Sequence, residues 1–95
     1  SLSLRNVKTA RQFEVLTDGV FISIGHVPNN ALIADQVELD DKGYVRVDWL
    51  MRTSVPGVFA AGEIADPHYR QIITSAAMGA AAALQADCYL NEQNP

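Results

Sequence analysis

The chain has 95 residues, enough for one small domain of marginal stability, because a domain of this size buries around two-thirds of the surface that its unfolded chain exposes. Hydrophobic residues make up 48% and charged residues 19%, which is typical of a soluble globular protein and not of a disordered one. The net charge is −4, with 7 basic and 11 acidic residues and no lysine or arginine cluster, so we expect no nucleic-acid partner. The longest apolar run, near 80–84, is too short to span a bilayer, and we expect no membrane partner either.

Cys88 is the sole cysteine in the sequence. One chain can therefore form no internal disulfide, no Cys-x-x-Cys redox pair and no cysteine-based zinc site. An unpaired cysteine and the lack of a signal peptide indicate the reducing environment of the cytoplasm.

The amino-terminal part of the chain predicts short strands joined by turns. Apolar residues alternate in 2–7 and again in 12–16, which predicts two half-buried strands joined by a polar turn. After a turn at Asp18-Gly19, the run 20–25 is almost wholly apolar and β-branched, as in a strand covered on both faces. Pro28 and its asparagine neighbours then predict a break in regular structure.

A second hairpin and a long helix are predicted in the rest of the chain. A short helical turn is expected at 31–34, and strands at 37–39 and 44–47 flank a good hairpin loop. The Pro56-Gly57 pair predicts a type II turn that leads into a second buried strand over 58–62. Good helix formers dominate from 70 to about 90. Asp66 and Pro67 fit the N-cap and first helical positions, and a start nearer Tyr69 fits equally.

The candidate site lies where the second buried strand meets this helix. Gly62 would end the strand, and its lack of a side chain allows close backbone approach to a ligand. Glu63 follows at the carboxyl end of the strand, where ligands bind in open α/β sheets. The helix start near Arg70 offers unpaired N–H groups and a positive dipole. Such a site can hold a ribityl hydroxyl with the carboxylate, and a pyrophosphate or flavin carbonyl with the helix.

Two motifs carry a family resemblance that covers essentially the whole chain. The string T-S-V-P-G-V-F-A-A-G-E at 53–63, followed by Y-R-Q at 69–71 and a small-residue helix, resembles the second FAD-binding motif of the low-molecular-weight thioredoxin reductases of bacteria and the related alkyl hydroperoxide reductase flavoprotein. The string D-G-V-F-I-S-I-G-H-V-P-N at 18–29 resembles the strand and linker that return from that family's NADPH domain to its FAD domain.

The resemblance implies an α/β fold, a partial Rossmann-like FAD/NAD(P)-binding domain with short strands and hairpins followed by a long carboxy-terminal helix. It implies that residues 1–25 are the tail of the NADPH-binding domain with its connecting strand. Residues 26–95 would be the carboxy-terminal part of the FAD-binding domain.

The resemblance also implies FAD as cofactor, on a partial site. The residues it points to are Gly62, Glu63, Ile64, Arg70, Gln71 and Ile72. In this interpretation Gly62 is the backbone approach point, Glu63 accepts a hydrogen bond from the ribityl chain, and 70–72 bring the helix start against the flavin and its diphosphate. Glu63 replaces the family's usual aspartate, and its extra methylene moves the carboxylate by about one C–C bond length.

Other parts of the family's machinery are missing from the sequence. It has no Gly-x-Gly-x-x-Gly for the ADP half of FAD, no NADPH fingerprint and no Cys-x-x-Cys. No catalytic residue or metal ligand is assigned, and we expect no turnover by this chain alone. NADPH and thioredoxin, or a similar disulfide substrate, would be partners of the full-length enzyme, and a homo-oligomer is expected. The alternative is a non-catalytic folded fragment, or a self-associating interaction module, without flavin.

For several other residues, a structural interpretation is preferred to a catalytic one. His26 and His68 fit solvent-exposed loop positions better than acid–base roles. Cys88, late in the helix and without an activating base nearby in sequence, predicts a buried structural thiol and not a nucleophile. Hydroxyl residues such as Ser54 and Ser75 lack a neighbouring His/Asp pattern, which argues against a hydrolase.

Overall fold

The computed structural model describes residues 1–94 and begins with an antiparallel hairpin. Strand β1 (Leu2–Arg5) pairs with strand β2 (Gln12–Val15) over their whole lengths. The Asn6 side-chain oxygen closes the connecting turn by accepting hydrogen bonds from the N–H groups of Lys8 at 2.9 Å and Thr9 at 3.1 Å. The hairpin predicted from the alternation of apolar residues is confirmed. Its strands are not half-buried as predicted, because the hairpin pairs only with itself within the described chain and every strand residue except Leu2 is exposed.

Residues 17–29 form an extended connection without regular secondary structure. Its apolar side chains are in solvent, with Phe21 98% and Ile24 87% exposed. The strand predicted over 20–25 is therefore wrong for this chain. A strand requires a hydrogen-bonded neighbour and a run apolar on both faces requires cover, and no other segment of 1–94 pairs with it.

The predicted second hairpin is present as a tight turn. Leu39 and Val45 form an antiparallel bridge, and the Asp40 carboxylate accepts hydrogen bonds from the N–H groups of Lys42 and Tyr44, each at 2.9 Å. The helical turn expected just before it is also present, because the N–H of Ala34 donates to the carbonyl of residue 30 at 2.9 Å.

The buried residues of the chain gather around this turn. They form a small core made of Val37, Tyr44, Val45, Ala65 and Asp66. The N–H of Val45 donates to the carbonyl of Ile64 at 2.9 Å, which ties the hairpin to the segment that follows Gly62.

The Pro56-Gly57 pair adopts the predicted type II turn. The N–H of Val58 donates to the carbonyl of Val55 at 3.1 Å, and Gly57 has φ 81°. The buried strand predicted over 58–62 is wrong, however, because the segment forms a single bridge between Phe59 and Arg52 and is partly exposed. As with 20–25, the described residues provide no second strand to extend the pairing.

Helix α1 (Ile72–Gln93) is the longest element, as predicted from the helix formers after residue 70. Its N-cap is Gln71, so the predicted cap at Asp66 is wrong and the start nearer Tyr69 is closer to the observed one. The ring of Tyr89 packs edge-on against Phe59, with centroids 6.3 Å apart, and holds the helix against the middle of the chain.

The molecule as a whole is elongated. Its principal extents are 69 × 25 × 23 Å and its Cα radius of gyration is 20.2 Å, against roughly 12 Å for a compact domain of this length. No helix within residues 1–94 is both long and apolar enough to cross a membrane. The chain is an α/β unit of short strands and turns followed by a long carboxy-terminal helix, with much of its apolar surface uncovered.

Candidate functional site

Gly62 lies at the point where the chain reaches helix α1. Its backbone has φ 84° and ψ −163°, a conformation that is accessible essentially to glycine alone. A Cβ atom built at this position would lie 3.8 Å from both Cβ and Oγ of Ser75, in the first turn of α1. The backbone of Gly62 is therefore in close approach to the beginning of the helix.

Glu63 begins a single turn of 3₁₀ helix, Glu63–Ala65, directly after Gly62. The turn closes with hydrogen bonds from Ala65 N–H to the Gly62 carbonyl at 3.0 Å and from Asp66 N–H to the Glu63 carbonyl at 3.2 Å. The Glu63 side chain is 56% exposed, and its Oε1 lies 3.4 Å from Nδ1 of His26. The backbone of Glu63 is therefore held by the turn, while its carboxylate is accessible to a ligand.

A cleft of about 360 Å³ adjoins this carboxylate. Clefts that hold small molecules in proteins begin at about this size, roughly 300 Å³. Its lining combines apolar side chains with three ionisable ones: His26, Val27, Pro28, Asn29, Tyr44, Glu63 and Ile64. The cleft thus joins the 18–29 motif to the 53–63 motif, although the two are far apart in sequence.

Asp66 organises the loop that leads into helix α1. One carboxylate oxygen, Oδ1, accepts hydrogen bonds from the N–H groups of His68 at 3.0 Å and Tyr69 at 2.9 Å. The other, Oδ2, accepts from the N–H of Arg70 at 2.8 Å and from the hydroxyl of Thr74 at 3.3 Å. The carboxylate thus spans from the loop to the first turn of the helix.

These donors also act on the charge of Asp66. The N–H of Tyr69 is the largest cause that lowers the pKa of Asp66 below the ordinary value, while burial acts in the opposite direction. The N–H groups of Arg70 and His68 and the Thr74 hydroxyl lower the pKa further, because each stabilises the ionised carboxylate.

Arg70, Gln71 and Ile72 form the entry into the helix, as predicted. Arg70 has φ 53°, a left-handed conformation that side chains disfavour. The N–H of Gln71 donates to the Thr74 hydroxyl at 3.3 Å, which in turn donates to the Gln71 carbonyl at 2.9 Å. Ile72 is the first helical residue and is largely exposed. The structure therefore brings Gly62 to the same end of α1 as the 70–72 segment.

Sequence reasoning missed two partners in this region, Asp66 and His26. The sequence predicts Asp66 as a helix cap, whereas its carboxylate accepts hydrogen bonds from the loop. The signal that could have found this role is the Asx turn, in which an aspartate accepts from N–H groups two and three residues later. His26 was placed at the surface, and it is exposed, but nothing in the sequence relates it to Glu63, which is 37 positions away.

The residues at this end of α1 offer both hydrogen-bond acceptors and donors to a ligand. Glu63 supplies an exposed acceptor for hydroxyl groups, Gly62 leaves its position free of a side chain, and the first N–H groups of α1 have no acceptor within the helix. This donor set suits a polyhydroxyl chain and an adjoining electron-rich group.

The remaining candidate residues do not form a reactive centre. The ring of His68 contacts the edge of the Tyr69 ring, with centroids 6.5 Å apart. Cys88 is exposed, so the prediction of a buried thiol is wrong. No group of His, Cys, Asp and Glu residues suited to a metal ion occurs within 1–94.

The fold and the glycine–carboxylate–helix arrangement are shared with a known family of oxidoreductases. The chain belongs to the pyridine nucleotide-disulphide oxidoreductase family, whose model matches residues 2–80. Within that family it is similar to thioredoxin reductases. It is 47% identical over 93 residues to the mitochondrial thioredoxin reductase of Kluyveromyces lactis, covering 97% of this chain and 27% of that protein. It is 44% identical over 96 residues to the thioredoxin reductase of Coxiella burnetii, covering 96% of this chain and 30% of that protein.

Solved structures of thioredoxin reductases share the path of the chain. The enzyme from T. acidophilum matches with a TM-score of 0.83 and 36% identity, over 97% of this chain and 30% of that one. The enzyme from Lactococcus lactis matches with a TM-score of 0.82 and 36% identity, over 95% of this chain and 30% of that one. The resemblance predicted from the two motifs, and with it the Rossmann-like α/β fold class, is confirmed. The chain spans less than a third of the length of these relatives.

Proposed function

We propose that this chain supplies the ribityl-binding and flavin-facing part of the FAD site of a thioredoxin reductase. The observation that supports the proposal is the close approach of Gly62 to Ser75, because it brings the residue directly before Glu63 to the beginning of helix α1. Cofactor, carboxylate and helix start would then meet at one place.

The segment after Gly62 would bind the sugar-like chain of the cofactor. In the proposal, Gly62 lets the backbone come close to FAD, and Glu63 accepts a hydrogen bond from a ribityl hydroxyl. The side chain of Ile64 is partly buried beside the cleft, and its carbonyl is already bonded to Val45 N–H. Ile64 would therefore form part of the apolar wall.

The helix start would face the flavin and the diphosphate. The first N–H groups of a helix lack intrahelical acceptors and carry partial positive charge, which favours an anionic or electron-rich partner. Arg70, Gln71 and Ile72 lie at this end of α1. Arg70 adds a guanidinium, which is suited to a phosphate.

The wider reaction belongs to the full-length protein. When bound, FAD supplies hydride chemistry between NADPH and a disulfide, here the disulfide of thioredoxin or a similar substrate. We assign residues 1–25 to the end of the NADPH-binding domain and 26–95 to the FAD-binding domain. The free thiol of Cys88 suits a reducing compartment, and we infer the cytoplasm.

The test is a titration of the chain with FAD, followed by quenching of flavin fluorescence. We expect saturable binding that weakens about tenfold in Glu63→Gln, since the charged acceptor becomes a neutral amide oxygen and its hydrogen bond weakens. Glu14→Gln, on the exposed strand β2, is the matched control and should bind as the unmodified chain does. Absence of binding by the unmodified chain would refute autonomous FAD binding and leave family membership untouched.

The uncovered apolar surface supports a second candidate function, self-association without flavin. Phe21 and the other apolar side chains of 20–24 project into solvent as an unpaired extended segment. Unpaired strands and large apolar patches favour association with a second chain. Sizing chromatography with light scattering should then give a dimer or larger species at micromolar concentration, and a monomer at all concentrations would rule this candidate out.

A further inference from the structure

Asp66 connects the two parts of the candidate site. Its own N–H donates to the carbonyl of Glu63, which closes the 3₁₀ turn that carries the Glu63 carboxylate. Its side chain accepts from the N–H of Arg70 and from the hydroxyl of Thr74, at the start of helix α1. One residue therefore joins the carboxylate segment to the helix entry by direct hydrogen bonds.

Because Asp66 is buried, its carboxylate requires these hydrogen bonds. Asp66 is 5% exposed, and it is the one buried residue within 1–94 that has an acidic or basic side chain of the Asp, Glu, Lys, Arg or His type. A buried carboxylate is costly unless its oxygens are hydrogen-bonded. Here Oδ1 accepts two backbone N–H groups, and Oδ2 accepts the N–H of Arg70 and shares the single Thr74 hydroxyl proton with the Gln71 carbonyl. The chain retains a charged group in a small apolar core where an apolar residue would fill space without needing partners.

The conformation of Arg70 depends on this carboxylate. Arg70 has φ 53°, which residues with a side chain seldom adopt because the Cβ crowds the backbone. Its N–H makes the shortest of the four bonds to Asp66, at 2.8 Å. That bond holds the peptide that leads into Arg70, directly before Gln71 and Ile72 enter the helix.

We propose that Asp66 is a positioning residue of the FAD site: its carboxylate sets the place of Arg70 and of the α1 N-terminus relative to Glu63. The inference rests on the proposed function. Asp66 touches no ligand in this scheme and acts through Arg70 and Thr74. Its loss should lower cofactor affinity more than it lowers the stability of the fold.

The test compares Asp66→Asn with Asp48→Asn. Asparagine keeps the size of the side chain but places an NH₂ donor opposite the N–H donors of the loop. Asp48 is the matched control, because one of its oxygens also accepts two backbone N–H groups, from Leu50 at 2.9 Å and Arg52 at 3.0 Å. Asp48 has no hydrogen bond to the 63–74 segment within the described chain.

Two measurements are made on each variant. In Asp66→Asn we expect amide hydrogen exchange at Arg70 and Tyr69 to quicken about tenfold, with a clearly smaller change at Val45. We also expect FAD to bind about tenfold more weakly than to the unmodified chain. Asp48→Asn should bind FAD within twofold of the unmodified chain, roughly the scatter expected for a residue outside the site.

The outcomes separate the two ideas. If the unmodified chain binds FAD and Asp66→Asn binds it equally well, or loses no more affinity than Asp48→Asn, the positioning role is refuted while the proposed function stands. If amide exchange at Val45 quickens as much as at Arg70 and Tyr69, Asp66 acts on the fold as a whole and the positioning role is again refuted. If the unmodified chain binds no FAD, autonomous binding is refuted, and with it the claim that Asp66 sets the FAD affinity of this chain.

Discussion

Nδ1 of His26 lies 3.4 Å from Oε1 of Glu63, across 37 positions of sequence. This contact joins the 18–29 motif to the 53–63 motif at the edge of the cleft. Both side chains are more than half exposed, so water competes strongly for the same atoms. The Glu63 carboxylate can therefore exchange His26 for a ligand hydroxyl at small cost.

The weakness of this contact gives the first prediction. Replacing His26 with alanine should change the free energy of unfolding by less than about 1 kcal/mol, the range of exposed ion pairs. Urea denaturation followed by circular dichroism, at low and at high salt, measures the change. Glu63→Gln serves as the reciprocal variant and should give an equally small value. A loss of several kcal/mol in either variant would mean that the pair is a structural tie and is not available to a ligand.

Gly62 gives the second prediction, in which a substitution should clearly lower the free energy of unfolding. A Cβ at this position would meet Ser75 at 3.8 Å, which is ordinary van der Waals contact, so alanine has room. The cost comes from the backbone, since φ 84° with ψ −163° is strained for any residue with a side chain. Gly62→Ala should lower the free energy of unfolding by about 1–3 kcal/mol, as measured by urea denaturation.

Gly79 supplies the control for that substitution. It lies inside α1, and a Cβ there would meet nothing within 4 Å. Alanine is the better helix former, so Gly79→Ala should raise the free energy of unfolding by about 0.5–1 kcal/mol. Equal effects of the two substitutions would show that the conformation of Gly62 is not required by the fold.

Local chemistry accounts for the parts of the fold that the sequence predicted. The hairpin of β1 and β2, the Asp40 turn and the Pro56-Gly57 turn depend on residues within a few positions of each other, and all three are present. Helix α1 likewise satisfies its own backbone hydrogen bonds. Such elements can form without distant partners.

The two predicted buried strands depend on partners far away in sequence or in other segments. Residues 20–25 have the apolar, β-branched composition of a covered strand, yet they pair with nothing in the described chain. Composition indicates that the segment favours a strand, but the strand forms only where a neighbouring strand pairs with it. The exact helix start was missed for a related reason: the Asp66 carboxylate bonds to the loop and to Thr74, while Gln71 takes the cap position.

In the candidate site, too, the local contacts could be predicted from the sequence and the distant one could not. The placement of Gly62, Glu63 and 70–72 around one end of α1 follows from a motif that is continuous in sequence, and the structure places them there. The His26–Glu63 contact brings together distant segments, and no sequence pattern announces it. The roles of these residues toward FAD stay predictions.

The lowered pKa of Asp66 gives a prediction about pH. The N–H of Tyr69 is the main cause of the lowering, so the folded state binds a proton less readily than the unfolded state, whose aspartate has the ordinary pKa of 3.8. The ionised carboxylate thus stabilises the fold fully above pH 3.8, and this contribution is lost as the pH falls through the lower folded pKa.

Stability measured by urea denaturation should accordingly decrease below pH 3.8. In Asp66→Asn the decrease should be shallower, because the substituted residue does not titrate in either state. The carboxylate of Asp48, whose pKa is lowered mainly by the N–H of Arg52, titrates in both chains and accounts for part of the remaining slope. Identical slopes in the two chains would contradict the role given to the Asp66 carboxylate.

The exposed segment 20–24 gives the last prediction. Phe21 and Ile24 contribute large apolar areas to solvent and almost nothing to the core. The double substitution Phe21→Ser/Ile24→Ser should therefore leave the thermal unfolding midpoint nearly unchanged, while it reduces binding of the dye ANS and shifts any oligomer toward monomer in light scattering. Tyr44→Ser, in the buried core, is the control and should lower the midpoint clearly. If the double variant also unfolds at lower temperature, these side chains are covered in solution, because they would contribute to stability only where another surface, such as a second copy of the chain, packs on them.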